Sequence, residues 1–216
     1  IIRGVTTNPT ILLRDGVTGG MAGVKKRSKE IAKLIAPLPL SVEVISNDQQ
    51  KMLDQAIEFS KWADNINVKI TIHGPNGELD NLKIIHELEK THNVRINVTA
   101  MMTVVQVQSV LNALSKGPGG YVSVFAGRVA DAGINPLPIM KEVVDILSDY
   151  PSIELIWASP RELYNVVQAN EIGCHIITAT NDILRKLPTL GKNLDQFSVE
   201  TVRMFFDDAT EAGYSI

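Results

Sequence analysis

Short apolar runs alternate with helix-length stretches along nearly the whole chain, and this alternation limits the fold more than any other feature. Val5-Thr6 ends a first strand-like piece, and further strands are expected at residues 40–45, 66–70, 94–98, 121–125, 154–158 and 174–177. Helical patterns fill the gaps at 48–62, along a face carrying Leu79, Leu82, Ile85 and Leu88, and at 103–114, 136–148 and 161–169; the remainder is mostly helical. Asn47 or Asp48 can cap the first of these helices, since either side chain accepts bonds from the free N–H groups of an opening turn.

Strands joined by helix-length connections form parallel sheets. A doubly wound open sheet and an eight-stranded barrel both satisfy the pattern. No glycine-rich dinucleotide fingerprint follows any strand, which weighs against a cofactor-binding open sheet. Thr6, Glu43, Lys69, Asn97, Ser123 and Ser159 sit within or just after successive strands. In a barrel they can look into one mouth at the C-terminal face. The reading is an α/β chain forming a (βα)8 TIM barrel, one domain over residues 1–216. Only about seven strands are visible and the chain opens on Ile1 rather than Met, so the first strand is expected upstream of Ile1. Residues 16–23 and 116–120 read as loops, and no repeat or low-complexity segment interrupts the pattern.

Composition then narrows the function classes. With 216 residues, 44% hydrophobic and 21% charged, the chain can bury a large core. A net charge of −3 gives no basic footprint for nucleic acid or an anionic membrane. No apolar run approaches the ~20 residues of a membrane span, and no signal peptide is visible at the start. The lone Cys174 lies in an apolar context, which fits a small core filler and a reducing, cytoplasmic setting. His73, His86, His92 and His175 lack metal-ligand spacing, so no metal is expected; His73 precedes a turn and reads as a surface residue.

Lys69 ends the apolar string Ile66-Asn67-Val68-Lys69, with no carboxylate in the four residues that follow. It points either to solvent or into a barrel. Inside, desolvation favours the neutral amine, a nucleophile that forms Schiff bases with carbonyl substrates. Glu43 lies between Val42 and Val44. If the valines face the helices, Glu43 faces the interior, where it is either a hydrogen-bonded structural carboxylate or a group that holds a proton-shuttling water. Arg128 and Arg161 each follow a strand by a few residues, which puts both guanidinium groups at the mouth; they are either solvated or suited to a phosphate. Asn8, Asn97, Thr99, Ser123 and Ser159 offer neutral donors and acceptors to a polar ligand, or satisfy strand-end backbone.

The string Gly4-Val5-Thr6-Thr7-Asn8-Pro9 resembles the same run in the transaldolase family. Four more segments follow in the family's order: Val68-Lys69-Ile70, Asn97-Val98-Thr99, Ser123-Val124-Phe125-Ala126-Gly127-Arg128 and Ala158-Ser159-Pro160-Arg161. The likeness implies the small barrel subfamily that includes fructose-6-phosphate aldolases. It implies an aspartate on the first strand, which lies outside this sequence. It also implies that Lys69 forms the Schiff base, with Glu43 and Thr99 catalytic, and that Thr6, Asn8, Asn97, Ser123, Phe125, Arg128, Ser159 and Arg161 bind substrate. Glu43 and Phe125 resemble the transaldolases, whereas the aldolases carry Gln and Tyr there. The implied reaction moves a dihydroxyacetone unit between sugar phosphates, as in the pentose phosphate pathway. An iminium ion would be the electron sink, so no metal or other cofactor is called for. Two alternatives stay open: an aldolase that releases dihydroxyacetone, and a catalytically silent sugar-phosphate-binding barrel. The segment after Arg128 departs from the expected pattern, which leaves substrate preference open. Similar small enzymes form homo-oligomeric rings, so a pentamer or decamer is expected, with the C-terminal helix at about 199–212 contacting a neighbouring subunit.

Overall fold

A computed structural model describes residues 2–79, 81–114 and 117–214. The first of its two compact units ends at Thr178. It contains seven strands: β1 (Val5–Thr6), β2 (Leu40–Glu43), β3 (Ile66–Thr71), β4 (Ile96–Met101), β5 (Gly120–Val124), β6 (Ile153–Trp157) and β7 (Ile176–Ile177). All pair in parallel, in sequence order from β1 to β7. Arg3, just ahead of β1, bonds Glu154 of β6 at 3.0 Å, so the sheet curls round on itself. This is the strand order of a (βα)8 barrel with seven strands. Among the described residues β1 and β7 each pair on one side only.

The connections are helical: α1 (Pro9–Arg14), α2 (Gly20–Ile35), α3 (Gln49–Ser60), α4 (Asn81–His92), α5 (Val104–Leu114), α6 (Ala126–Asp131), α7 (Leu137–Leu147) and α8 (Tyr164–Glu171). Strand alternation decides what they cover. Val42, Val68, Ile70, Val98, Val122, Val124 and Leu155 point outward and are at most 1% exposed. They pack with Phe59, Leu88, Leu111 and Met140 in one apolar cluster. Full burial of such side chains contributes about 1.5–3 kcal/mol each, so the core is the shell between sheet and helices. The opposite face of the same strands carries Ser41, Glu43, Asn67, Lys69, Asn97, Thr99 and Ser123. A barrel lined this way has a polar interior rather than the branched apolar plug that usually fills one.

Some boundaries differ from the sequence pattern. Helix α2 begins at Gly20, inside the expected 16–23 loop. Leu79 lies ahead of α4 and is 45% exposed, so the apolar face begins at Leu82. Strand β4 runs on to Met101, with a register shift between Val98 and Met101 and Ala100 at φ 63°. Asp48 caps α3 as expected, its Oδ1 accepting from Lys51 N at 2.9 Å.

The second unit, from Ala179, contains α9 (Asn181–Lys186), a 3₁₀ turn (Leu187–Thr189) and α10 (Leu194–Glu211). Asn193 caps α10 by accepting from Gln196 N at 3.0 Å. No residue of α10 is buried.

Candidate active site

Neighbouring strands bring two charged groups together. Glu43, the last residue of β2, is in register with Lys69 of β3, and Lys69 Nζ lies 3.1 Å from Glu43 Oε2. The lysine side chain is 8% exposed and the glutamate 16%. The ammonium group also reaches the Thr7 carbonyl oxygen at 3.4 Å. Thr7 is itself pinned, its hydroxyl donating to the Ser41 carbonyl at 3.0 Å. Lys69 therefore points inward, and its counter-charge comes from the next strand rather than from its own. A sheltered pair of this kind is held close by a reduced local dielectric, and one proton can pass between its members.

A second group lies on the same face. Ser123 Oγ donates to Asn97 Oδ1 at 2.7 Å, and Asn97 Nδ2 donates to Ser41 Oγ at 3.0 Å. This chain spans β5, β4 and β2, and all three residues are buried. Thr99, two residues beyond Asn97, buries its hydroxyl with no protein partner. A buried hydroxyl without a partner is costly unless water or ligand satisfies it.

The third group stands beyond β5 and β6. Arg161 grips Asp131 through Nε at 2.9 and 3.1 Å and through a second, shorter contact from its Nη2. The hydrogen bond from Arg161 holds the Asp131 carboxyl below the usual carboxylate range; desolvation opposes it, and the charges of Arg161 and then Arg128 add to the lowering. Arg161 is bonded to this carboxylate, and Arg128 acts on it through charge alone. The packing beneath them needs a glycine: a Cβ on Gly127 would lie 1.5 Å from the Ser159 carbonyl oxygen. Ser159 itself sits at φ 60°.

The family model described as transaldolase/fructose-6-phosphate aldolase matches residues 1–216. The chain belongs to this family. A probable transaldolase 2 of Listeria monocytogenes is 33% identical over 201 residues, covering 91% of this chain and 85% of that protein. A probable transaldolase of Dehalococcoides mccartyi is 32% identical over 188 residues, covering 87% and 81%. Among solved structures, mandelate oxidase with benzoyl-formic acid superposes with a TM-score of 0.51 at 12% identity, covering 81% of this chain and 63% of that one. At that identity the likeness is one of fold alone.

Against the family pattern, the remaining expected residues are placed as follows. Thr6 is the last residue of β1 and is half-buried. Asn8 caps α1, its Oδ1 accepting from Ile11 N at 2.7 Å. Phe125 is half-buried where β5 turns into α6. Arg128 is exposed on α6. Three contributors were absent from the sequence reading: the Thr7 carbonyl, Ser41 and Asp131. Ser41 was recoverable, because it stands two residues before Glu43 and so shares its face. Asp131 depends on α6, a short helix with no apolar periodicity to reveal it.

Three of the four histidines, His73, His86 and His175, bond within the scaffold, while His92 is exposed. Gln106 Oε1 accepts from Met102 N at 2.7 Å and Thr103 N at 3.0 Å, which fixes its amide group as the donor toward His73 Nε2, 2.8 Å away. His73, half-buried rather than on the surface, therefore carries its ring proton on Nδ1 when neutral. His175 Nδ1 accepts from Leu155 N at 3.0 Å. Burial pushes the Cys174 thiol up to about 11, so it stays protonated and unreactive near neutral pH. Among the described residues no three His, Cys, Asp or Glu side chains cluster as a metal site. None of the described helices is long and apolar enough to cross a membrane.

Proposed function

We propose that the chain is a transaldolase that moves a dihydroxyacetone unit between sugar phosphates through a Schiff base on Lys69. The observation that carries this reading is the sheltered Lys69–Glu43 pair, 3.1 Å apart. Glu43 takes the ammonium proton, and the freed amine attacks the C2 carbonyl of a ketose phosphate. Glu43 returns the proton to the carbinolamine hydroxyl, which leaves as water and gives the iminium. Glu43, through a water that Thr99 also holds, then takes the proton of the C4 hydroxyl. The C3–C4 bonding pair flows into the iminium, giving an enamine and a free aldose. An acceptor aldehyde enters and the steps reverse. Proton transfer of this kind contributes about 10²–10⁴-fold.

The aldolase reading differs in one step, since water protonates the enamine and dihydroxyacetone departs. An assay with fructose 6-phosphate, with and without erythrose 4-phosphate, separates the two. Transfer predicts turnover that depends on the acceptor. Steady release of free dihydroxyacetone without acceptor contradicts it.

Arg128 and Arg161 are the phosphate donors in this reading. Replacing Arg128 by Ala is expected to weaken phosphorylated substrates about 10- to 150-fold, the scale of a lost charge-assisted bond of roughly 1.5–3 kcal/mol. Dihydroxyacetone and other unphosphorylated substrates should change little. Equal losses for both kinds reject the phosphate role. Arg161 is shared with Asp131, so Arg161→Ala should cost less.

The tail helix is proposed as a contact between subunits. Phe205 and Phe206 on α10 are 62% and 72% exposed. Adjacent helical residues point about 100° apart, so one narrow face cannot cover both. A ring of subunits would. Light scattering should give a multiple of the 23.6 kDa chain mass; a monomer at micromolar concentration rejects the ring.

A further inference from the structure

The barrel unit has a cavity whose lining does not include Lys69. It opens at the opposite, N-terminal ends of the strands and measures about 810 Å³, within the range of about 300–1,000 Å³ typical of small-molecule sites. Its walls are part apolar, with Ala32, Pro37, Pro39 and Trp62, and part polar, with Asn67, Arg95 and Tyr121. Those three polar groups share one property. Asn67 is 2% exposed, yet its Nδ2 has no hydrogen-bond partner. Arg95 makes no hydrogen bond or ion pair among the described residues. Tyr121 is 5% exposed, and its hydroxyl donates to no protein acceptor among the described residues. Burial raises the Tyr121 phenol above its ordinary range, against the smaller lowering influence of Arg95 and of the Asn67 amide beside it, so it keeps its proton and remains a donor.

Nearby charge favours the same ligand. Lys29 and Lys33 line the wall beside Arg95, against Glu30 and Asp64. Glu30 is engaged by Arg27 at 3.5 Å. Glu154, which bears on Tyr121, is engaged by Arg3 at 3.0 Å. Asp64 is the one carboxylate of the wall without an ion-pair partner among the described residues. Three donors thus line the cavity, Arg95 exposed and Asn67 and Tyr121 buried, and a buried donor left unmade carries a free-energy cost that a ligand oxygen removes.

We propose that this cavity is a second binding site, separate from Lys69, for a small ligand that joins an oxyanion, such as a phosphate monoester, to an apolar body. The oxyanion meets Arg95, the Tyr121 hydroxyl and Asn67 Nδ2, and the apolar body lies against Trp62 and the prolines. The proposal does not depend on the Schiff-base reading.

Phenyl phosphate is the probe, with benzyl alcohol as its uncharged counterpart, titrated calorimetrically into the full-length protein. Phenyl phosphate should bind and benzyl alcohol should not. Arg95→Ala should weaken binding about 10- to 150-fold, and this loss should be seen equally in an Arg128→Ala background, where phosphate binding at the opposite end of the strands is disabled. Arg95 is exposed, so its removal should spare the fold, and Asn67→Leu gives an independent check by deleting the buried donor. Absence of binding overturns the site. So does binding that survives both Arg95→Ala and Asn67→Leu in the Arg128→Ala background, or binding that is lost with Arg128→Ala alone, which would assign the ion to the mouth.

Discussion

Lys69→Arg is expected to abolish turnover of fructose 6-phosphate, by roughly 10⁵- to 10⁶-fold, the scale of removing a covalent nucleophile from a cooperating set. Arginine keeps the positive charge opposite Glu43 and can still reach the Thr7 carbonyl. What it loses is an amine able to give up its proton and attack carbon. The variant should therefore fold with a melting temperature close to the parent while losing its chemistry. Stopped assays in both directions, with aldose acceptor present, provide the measurement. Turnover within tenfold of the parent would reject covalent catalysis by this residue.

Glu43→Gln is the second large effect. The substitution is nearly isosteric, and its amide oxygen can still accept from Lys69 Nζ at the 3.1 Å position of the carboxylate. It cannot take a proton. Turnover should fall about 10²- to 10⁴-fold. Removing one partner of a buried pair can cost several kcal/mol, but the amide oxygen of Gln keeps a hydrogen bond to Lys69 Nζ in place of the carboxylate. Thermal unfolding should therefore change little compared with the loss of rate. An active enzyme with a sharply lowered melting temperature would instead make Glu43 a structural carboxylate.

The repeating strand and helix pattern was legible because each element buries one face. Val42, Val68 and Val122 alternate with polar residues, and a period of two leaves few other assignments. That alternation also oriented Glu43 inward once Val42 was given to the helices. The partnership of Glu43 with Lys69 was not legible, because register between strands far apart in sequence is a tertiary property. No carboxylate follows Lys69 closely along the chain, because its counter-charge stands across the sheet on the neighbouring strand. Asp131 was hidden for a related reason. Its meaning comes from Arg161, which lies thirty residues away in sequence but is bonded to it in space. Helix α6 was missed because six residues are too few to display a helical face. The donor-lined cavity draws on the ends of several strands at once, and no single segment announces it.

The central claim is that Lys69 carries a covalent intermediate, and reductive trapping tests it most directly. The protein is incubated with fructose 6-phosphate and borohydride, digested, and its peptides are weighed by mass spectrometry. The account predicts loss of activity together with a reduced three-carbon adduct on the peptide that holds Lys69, and no adduct in Lys69→Arg. An unmodified Lys69 in an enzyme that still turns over substrate, or an adduct on a different lysine, would contradict it.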